Sequence, residues 1–338
     1  MSTQRGRIRI EGFHGERATD REHQPATPEE VMTEVESRWK KVGRQIVRDR
    51  LALIGGVVVL LMVASAIFAR PIEAMGTAIQ PFALAPYDPW STGVGGPYES
   101  PSLAHLMGTD RLGRDMLSRV MYGARFSVSI GLIVTVLAAS FGIVYGGISG
   151  YFGGSVDDVL MRIVDMVFAF PGLVLALVII AMVGRGYWEL VAAFALPGWA
   201  IYARLIRGEI LKVKQNEYVL AAKALGARDR TVLSRHVIPN AIAPVIVQAT
   251  LSIGAVVIGV AALGFLGLGF GGDTPEWGTM LEQERGTIVT AGAEWRWWAT
   301  FFPGIMIFIF VMAMNMIGDA VNDALDAQGA ETTQMGGG

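Results

Sequence analysis

Long uncharged runs alternate with charged segments along most of this chain, and six of the runs are candidates to cross a bilayer. Leu51–Ala69 holds no charge and is bracketed by Arg50 and Arg70. Phe126–Gly150 is uncharged and sets Gly142 and Gly146 four apart, a spacing that lets helices approach closely. Met166–Val183 is apolar just after Arg162 and Asp165, and Leu190–Ile206 is apolar but for Arg204 near its end. Ala241–Phe270 is longer than one crossing needs, and Trp297–Ile317 closes the set. A bilayer core takes about 20 mostly apolar residues per helix. The pattern predicts an all-α, polytopic membrane protein with six transmembrane helices.

Residues 1–26 are polar and aperiodic, which predicts a disordered tail. Over 27–50, Val31, Val35, Trp39, Val42 and Ile46 recur at helical spacing, after Thr27, Pro28 and Glu30 as a start signal. Acidic residues open this helix and basic ones close it. It reads as an amphipathic helix on the membrane interface, or as one docking on a partner. The first apolar run lies too far along, and is too long, for a signal peptide.

Lysine and arginine then set the orientation. The basic run before Leu51 puts the N-terminus in the cytoplasm, and six spans return the C-terminus there. The divisions expected are a first span over 51–70, an extracytoplasmic segment over 71–125, a five-helix core over 126–320 and a cytoplasmic tail over 321–338. The loop over 208–240, with Arg207, Lys212, Lys214, Lys223, Arg228, Arg230 and Arg235 in or beside it, falls on the cytoplasmic side. Arg111, Arg114, Arg119 and Arg125 run against the rule, which long loops tolerate. Trp277, Trp295, Trp297 and Trp298 are expected at the outer headgroup level.

Composition narrows the chemistry. Only 17% of the 338 residues are charged, against roughly 25% in soluble domains. A net charge of −2 gives no basic excess for nucleic acid. With no cysteine and four scattered histidines, neither a metal site nor a cofactor in this chain is expected. No glycine is followed by lysine, so a P-loop is absent. The ionisable groups near the spans (Asp165, Arg204, Asp319) sit at their ends, unlike the midplane acids of self-powered carriers. No paired catalytic constellation or G-x-S-x-G marks an intramembrane enzyme. The energy for any transport is expected from elsewhere.

The stretch EYVLAAKALGARDRTVLSRHVIPN, 217–240, then stands out. Glu217 to Leu225 favours a helix, Gly226 suits a left-handed break, Asp229 is a candidate cap for a second helix from Arg230 to His236, and Pro239 a stop. From pattern alone the segment is either a lever for a docking partner or an ordinary polar loop.

This stretch resembles the EAA loop of permease subunits in binding-protein-dependent ABC importers, with Ala221, Ala222 and Gly226 at the alanine pair and glycine. Leu220 stands where the triplet's glutamate belongs, and Glu217 lies three residues earlier. GTDRLGRDMLSRVMYGARFSVSIG (108–131), GFLGLGF (264–270) and PEWGTML (275–281) are similar to the dipeptide/oligopeptide/nickel class, C-type subunit. The resemblance implies a coupling helix that engages a cytoplasmic ATPase. It marks Glu217, Ala221, Ala222, Gly226, Ala227, Arg228, Asp229, Arg230, Arg235 and Pro239 as coupling residues. It further implies a second, homologous permease, two ATPase subunits that hold ATP and Mg, an extracytoplasmic binding protein, and a multi-pass location among the lipids of a prokaryotic cell membrane. Peptides are the expected cargo, with nickel complexes, glutathione or oligosaccharides as alternatives. Gly264, Gly267 and Gly269 are candidates for an outer gate or for close packing, and Gln248 for the pathway or for interhelical hydrogen bonding.

Overall fold

The computed structural model describes residues 42–74, 77–286 and 296–335. The tail expected over 1–26, most of the helix expected over 27–50, and Trp295 lie outside the described residues; positions 42–48 are helical. The first long helix, α1 (Arg50–Phe68), starts where the Asp49 carboxylate accepts from the N–H groups of Leu51 (2.7 Å) and Ala52 (2.9 Å). A short antiparallel pair follows, β1 (Ile72–Ala74) and β2 (Thr77–Gln80), with Ile72 opposite Gln80. The rest is helical: α2 (Met116–Phe152), α3 (Gly154–Phe168), α4 (Gly172–Val183), α5 (Tyr187–Val213), α6 (Glu217–Ala224), α7 (Asp229–Val232), a π-helical turn (Leu233–Val237), α8 (Ile238–Ala241), α9 (Ala243–Phe265), α10 (Trp277–Gln283) and α11 (Trp298–Met335).

Among the described residues, α1, α2, α5, α9 and α11 are each long and apolar enough to cross a membrane. The remaining crossing, third along the chain, differs from expectation. The run Met166–Val183 is not one helix: α3 and α4 meet at 83° across Ala169–Pro171. Pro171 is the cause, since proline disfavours a helical residue before it and cannot donate a backbone bond. At 12 residues, α4 alone reaches only ~18 Å of a hydrocarbon layer about 30 Å thick. The all-α polytopic architecture stands, with its third crossing broken.

Helix α2 organises the bundle. Its 37 residues extend ~55 Å, so both ends project beyond the hydrocarbon. It starts at Met116, ten residues before the apolar run, capped by Asp115, which accepts from the Ser118 N–H and hydroxyl at 2.8 and 2.6 Å. In its last third, Gly142, Gly146 and Gly150 face the backbone of α5 at Trp199, Ala203 and Arg207. A Cβ at Gly142 would lie 2.6 Å from the Trp199 carbonyl oxygen, one at Gly150 3.0 Å from that of Arg207, and one at Gly146 would collide with the Ala203 carbonyl. Both rows repeat every four residues, so two ridges interlock along their length.

The outer end is a knot of buried charge. Arg114 and Arg119 are each 1% exposed, and Asp110 binds the Arg114 Nε at 2.5 Å. Both guanidiniums also donate to Gln283 Oε1 on α10, at 3.1 and 3.0 Å. His105 meets Asp115 at 2.9 Å. Arg125 donates to the Ala66, Ile67 and Arg70 carbonyls, a cation at the C-terminal end of α1. Most of the arginines that offend the charge rule are therefore internal struts. Removing one partner of such a buried pair costs about 3–5 kcal/mol.

The tryptophans correct a second expectation. Trp277 is fully buried, its indole N–H donating to the Val120 carbonyl (3.0 Å), and buried Trp298 donates to that of Thr109 (3.1 Å). These two rings bolt α10 and α11 onto the outer segment rather than sitting in a headgroup belt; Trp297 is exposed. Beside them, the buried Glu276 carboxylate caps α10 by accepting from Gly278 and Thr279 N–H groups, both at 2.8 Å. Burial pushes its carboxyl up, and these donors oppose the shift.

The interlocked ridge predicts a contrast between two glycines. Gly146→Ala should destabilise the purified chain by about 1–3 kcal/mol through overpacking. Gly208→Ala, at a helical position with nothing within 4 Å of the added carbon, should not, and thermal unfolding in detergent distinguishes the two.

Candidate functional site at the cytoplasmic end

Between α5 and α9 the chain leaves the bundle, turns twice and returns. Helix α6 ends in a Schellman motif: the Gly226 N–H donates to the Lys223 carbonyl (2.9 Å) and the Ala227 N–H to that of Ala222 (3.1 Å). Gly226 carries φ +82°, the left-handed conformation that only glycine adopts without strain. Nothing lies within 4 Å of where its side chain would start. The requirement for glycine is therefore conformational, and the surface around it is open.

The segment has an inward and an outward side. Val219, Val232 and Val237 are wholly buried, in one cluster with Tyr151 of α2, Ile206 and Ile210 of α5 and Val245 of α9. Each buried valine is worth about 1.5–3 kcal/mol, enough to hold the unit on the bundle. Ala222 and Ala227 pack against this cluster, and Ala221 is half-buried. Facing out are Glu217, Lys223, Arg228, Asp229, Arg230 and Arg235, with Leu220 53% and Leu225 88% exposed. The alanine pair thus turns partly toward the protein's own core. The exposed apolar tips are the two leucines, neither of them among the expected coupling residues.

Two further details correct the expectation. Asp229 does not cap the second helix: Arg228 occupies that position without a side-chain bond, and Asp229 lies in the first turn. Its carboxylate instead accepts from the Tyr151 hydroxyl at 2.6 Å. Pro239 does not end the helix either. The chain widens into the π turn Leu233–Val237 and continues as α8 through Pro239, a detour that accommodates the absent N–H and the bulk of the ring. The Asn240 side chain donates to the His236 carbonyl at 2.7 Å.

Tyr151 is the residue that sequence pattern missed. It sits one residue from the end of α2 with its ring 4.4 Å from the Lys223 ammonium, so a single side chain contacts α6 through its face and α7 through its hydroxyl. Nearby, Arg207 of α5 grips Asp157 of α3 through two parallel hydrogen bonds, one at 2.6 Å, and the Ser149 hydroxyl of α2 donates to the same carboxylate. Lys214 donates to the Gly150 carbonyl at 2.8 Å. The ends of α2, α3 and α5 and the two-helix unit are thereby tied together.

The other candidates fall elsewhere. At the outer end of α9, Gly264 and Gly269 are tightly packed: a Cβ on Gly264 would come within 2.9 Å of Glu276 and of the Gly278–Thr279 backbone, and one on Gly269 within 2.6 Å of Gly264. Gly267 takes φ +76° in the turn that ends the helix. Gln248, inside α9, donates to the Ser252 hydroxyl at 3.0 Å.

Fold and site together define a multi-pass membrane protein with a two-helix unit seated on the ends of its spans. Residues 142–328 match the model for the inner membrane component of binding-protein-dependent transport systems. Residues 37–97 match the N-terminal transmembrane domain of oligopeptide transport permease C. The dipeptide transport system permease protein of Alkalihalophilus pseudofirmus is 36% identical over 88% of this chain and 92% of its own. The glutathione transport system permease protein of Pectobacterium atrosepticum is 36% identical over 86% and 92%. The dipeptide permease of Bacillus subtilis is 33% identical over 84% and 83%. The chain belongs to the family of binding-protein-dependent transport permeases, multi-pass membrane subunits of ABC importers.

Because Tyr151 holds both short helices, Tyr151→Phe should loosen α7 while leaving the fold intact. A hydrogen bond to a charged group contributes ~1.5–3 kcal/mol, less at a partly exposed site such as this. Amide hydrogen exchange over 226–232 should rise several-fold; unchanged protection would show that the contact does not pin the segment.

Proposed function

We propose that this chain is one half of the transmembrane pathway of an ATP-driven importer of di- and oligopeptides. The observation that carries the reading is the two-helix unit at the cytoplasmic end: a glycine-capped bend, Leu220 and Leu225 presented outward, and an apolar underside seated on α2, α5 and α9. A partner that grips the leucines would move three spans through one handle. ATP and Mg belong to two cytoplasmic ATPase subunits; no cofactor resides in this chain. A second, homologous permease completes the pathway, and an extracytoplasmic binding protein delivers the substrate. The buried charge knot gives the outer end a firm platform for that delivery. The peptide assignment draws on relatives named for dipeptide and for glutathione transport, and glutathione is itself a small peptide.

Proteoliposomes that hold this chain with its second permease, ATPases and binding protein should accumulate labelled di- or oligopeptide only when ATP is supplied. Gly226→Val, or Asp229→Lys combined with Arg230→Glu, should cut substrate-stimulated ATP hydrolysis roughly tenfold, about 1.4 kcal/mol of coupling. Uptake in vesicles without the ATPases would refute the reading. Accumulation of a nickel complex or an oligosaccharide, and not of peptide, would move it to another cargo of the same importer type.

A further inference from the structure

At its outer end, α1 stops with its last carbonyls paired inside the protein. Arg125 of α2 donates through Nε to the Ala66 carbonyl (2.9 Å) and through Nη2 to those of Ile67 (3.1 Å) and Arg70 (2.9 Å). The chain that follows the β1–β2 pair returns along the same end. There the Leu84 N–H donates to the Phe68 carbonyl (2.8 Å) and the Ala85 N–H to that of Ala69 (3.1 Å). The last four carbonyls of any helix lack partners within it, and in water the solvent supplies them. At hydrocarbon depth only protein groups can do so. Here one guanidinium and one returning segment serve each carbonyl from Ala66 to Arg70. The other face of that segment is apolar. Ile79, Phe82 and Leu84 are 69%, 65% and 59% exposed, while Gln80 and Ala85 turn inward. Pro81 and Ala83 are exposed between them, and such an unbroken apolar run at a surface is a liability unless something covers it. The Phe82 ring meets Phe68 edge-on at 6.4 Å, which joins the patch to the exposed face of α1 at Leu60, Leu61, Ile67 and Phe68. Between Arg70 and Asp88 the sequence carries one charge, Glu73, and those two bracketing residues neutralise each other at 2.6 Å.

We infer that residues 79–84 form an apolar collar that inserts into the outer leaflet of the bilayer, at the boundary between acyl chains and headgroups. The expected extracytoplasmic segment over 71–125 therefore begins inside the membrane boundary. Depth selects lipid as the occupant. The exposed Arg48 and Arg50 hold the inner end of α1 at the cytoplasmic headgroups. From there its 19 residues reach ~28 Å, against a hydrocarbon layer about 30 Å thick. Phe68 thus ends level with the outer edge of the hydrocarbon, and Phe82 lies beside it. Helix α2 marks the same level independently. Its uncharged run begins at Phe126, directly after the arginine that grips the end of α1. Continuity selects lipid as well, because the collar extends the side of α1 that faces away from the bundle. A span that only just crosses meets its mismatch with an apolar rim, and needs neither a thinned bilayer nor a charged residue drawn into it. The inference rests on span geometry and is independent of the cargo.

The chain contains no cysteine, so a nitroxide introduced through Ile79→Cys, Phe82→Cys or Leu84→Cys, and attached before assembly with the partner subunits, reports one position. The importer is reconstituted in phospholipid nanodiscs. Collision rates are measured with oxygen, which concentrates in hydrocarbon, and with a neutral nickel chelate, which stays in water. Leu60→Cys on the exposed face of α1 is the lipid reference, and Leu103→Cys, 97% exposed in the outer segment, is the water reference. At 82 and 84 the oxygen-to-nickel ratio should lie close to that of the Leu60→Cys label and several-fold above that of Leu103→Cys. Phe82→Cys removes the contact with Phe68, whereas Ile79→Cys and Leu84→Cys remove no ring contact, so the test does not hang on one variant. A ratio matching Leu103→Cys would make the segment an aqueous loop. Collisions suppressed with both reagents would mean a surface covered by protein, either the second permease or the binding protein. Each of these two results overturns the inference and leaves the importer reading to its own uptake assay.

Discussion

The close approach of α2 to α5 governs the architecture. Three glycines spaced by four residues on α2 lie against the α5 backbone at Trp199, Ala203 and Arg207. In lipid, where apolar burial between helices contributes little, contact at this range is what makes two spans one body. The contact runs to the cytoplasmic ends of both helices. That is where the Asp157 carboxylate accepts from both Arg207 and Ser149, and where Tyr151 reaches the segment that follows α5. A side chain at Gly146 would separate the ridges, and the polar ties beyond them would lose their register.

On the proposed coupling role, force that enters at the two-helix unit would have three exits. One runs into α5, which leads directly into α6. A second runs into α9 through Val237, Ala241 and Val245. The third, through Tyr151, enters α2 and by it reaches the outer knot of Asp110, Arg114 and Arg119. The π turn and Pro239 make the second route the least regular of the three. Gly226 stands at the opposite extreme. Its Schellman bonds fix the bend, so the glycine shapes the handle and the valines and Tyr151 secure it.

Much of this was legible in the residues, and the parts that were not share a cause. The uncharged runs marked the spans, because a bilayer imposes length and composition so strongly that pattern alone suffices. Gly226 was legible because a positive φ narrows the choice to one residue type. A kink at Pro171 was legible because proline bends a span, but the uniform apolar run across it did not show that the bend reaches 83°. Leu220 looked like a departure from a motif, whereas it supplies part of the exposed apolar edge. Tyr151, Asp157 and Trp277 act on partners from 50 to 157 positions away in the chain, and no local pattern encodes such pairings.

The central claim is that the two-helix unit and the end of α2 move as one rigid piece. The chain contains no cysteine, so paired spin labels enter cleanly through Phe152→Cys on α2 and Leu225→Cys on the unit, both exposed positions. Distances between them are measured by electron–electron resonance in the assembled importer, with and without ATP bound. The spacing should hold to within about 2 Å while a label on the second permease shifts relative to Leu225→Cys. A change of a helical turn, ~5 Å, between the two labels on this chain would contradict the account.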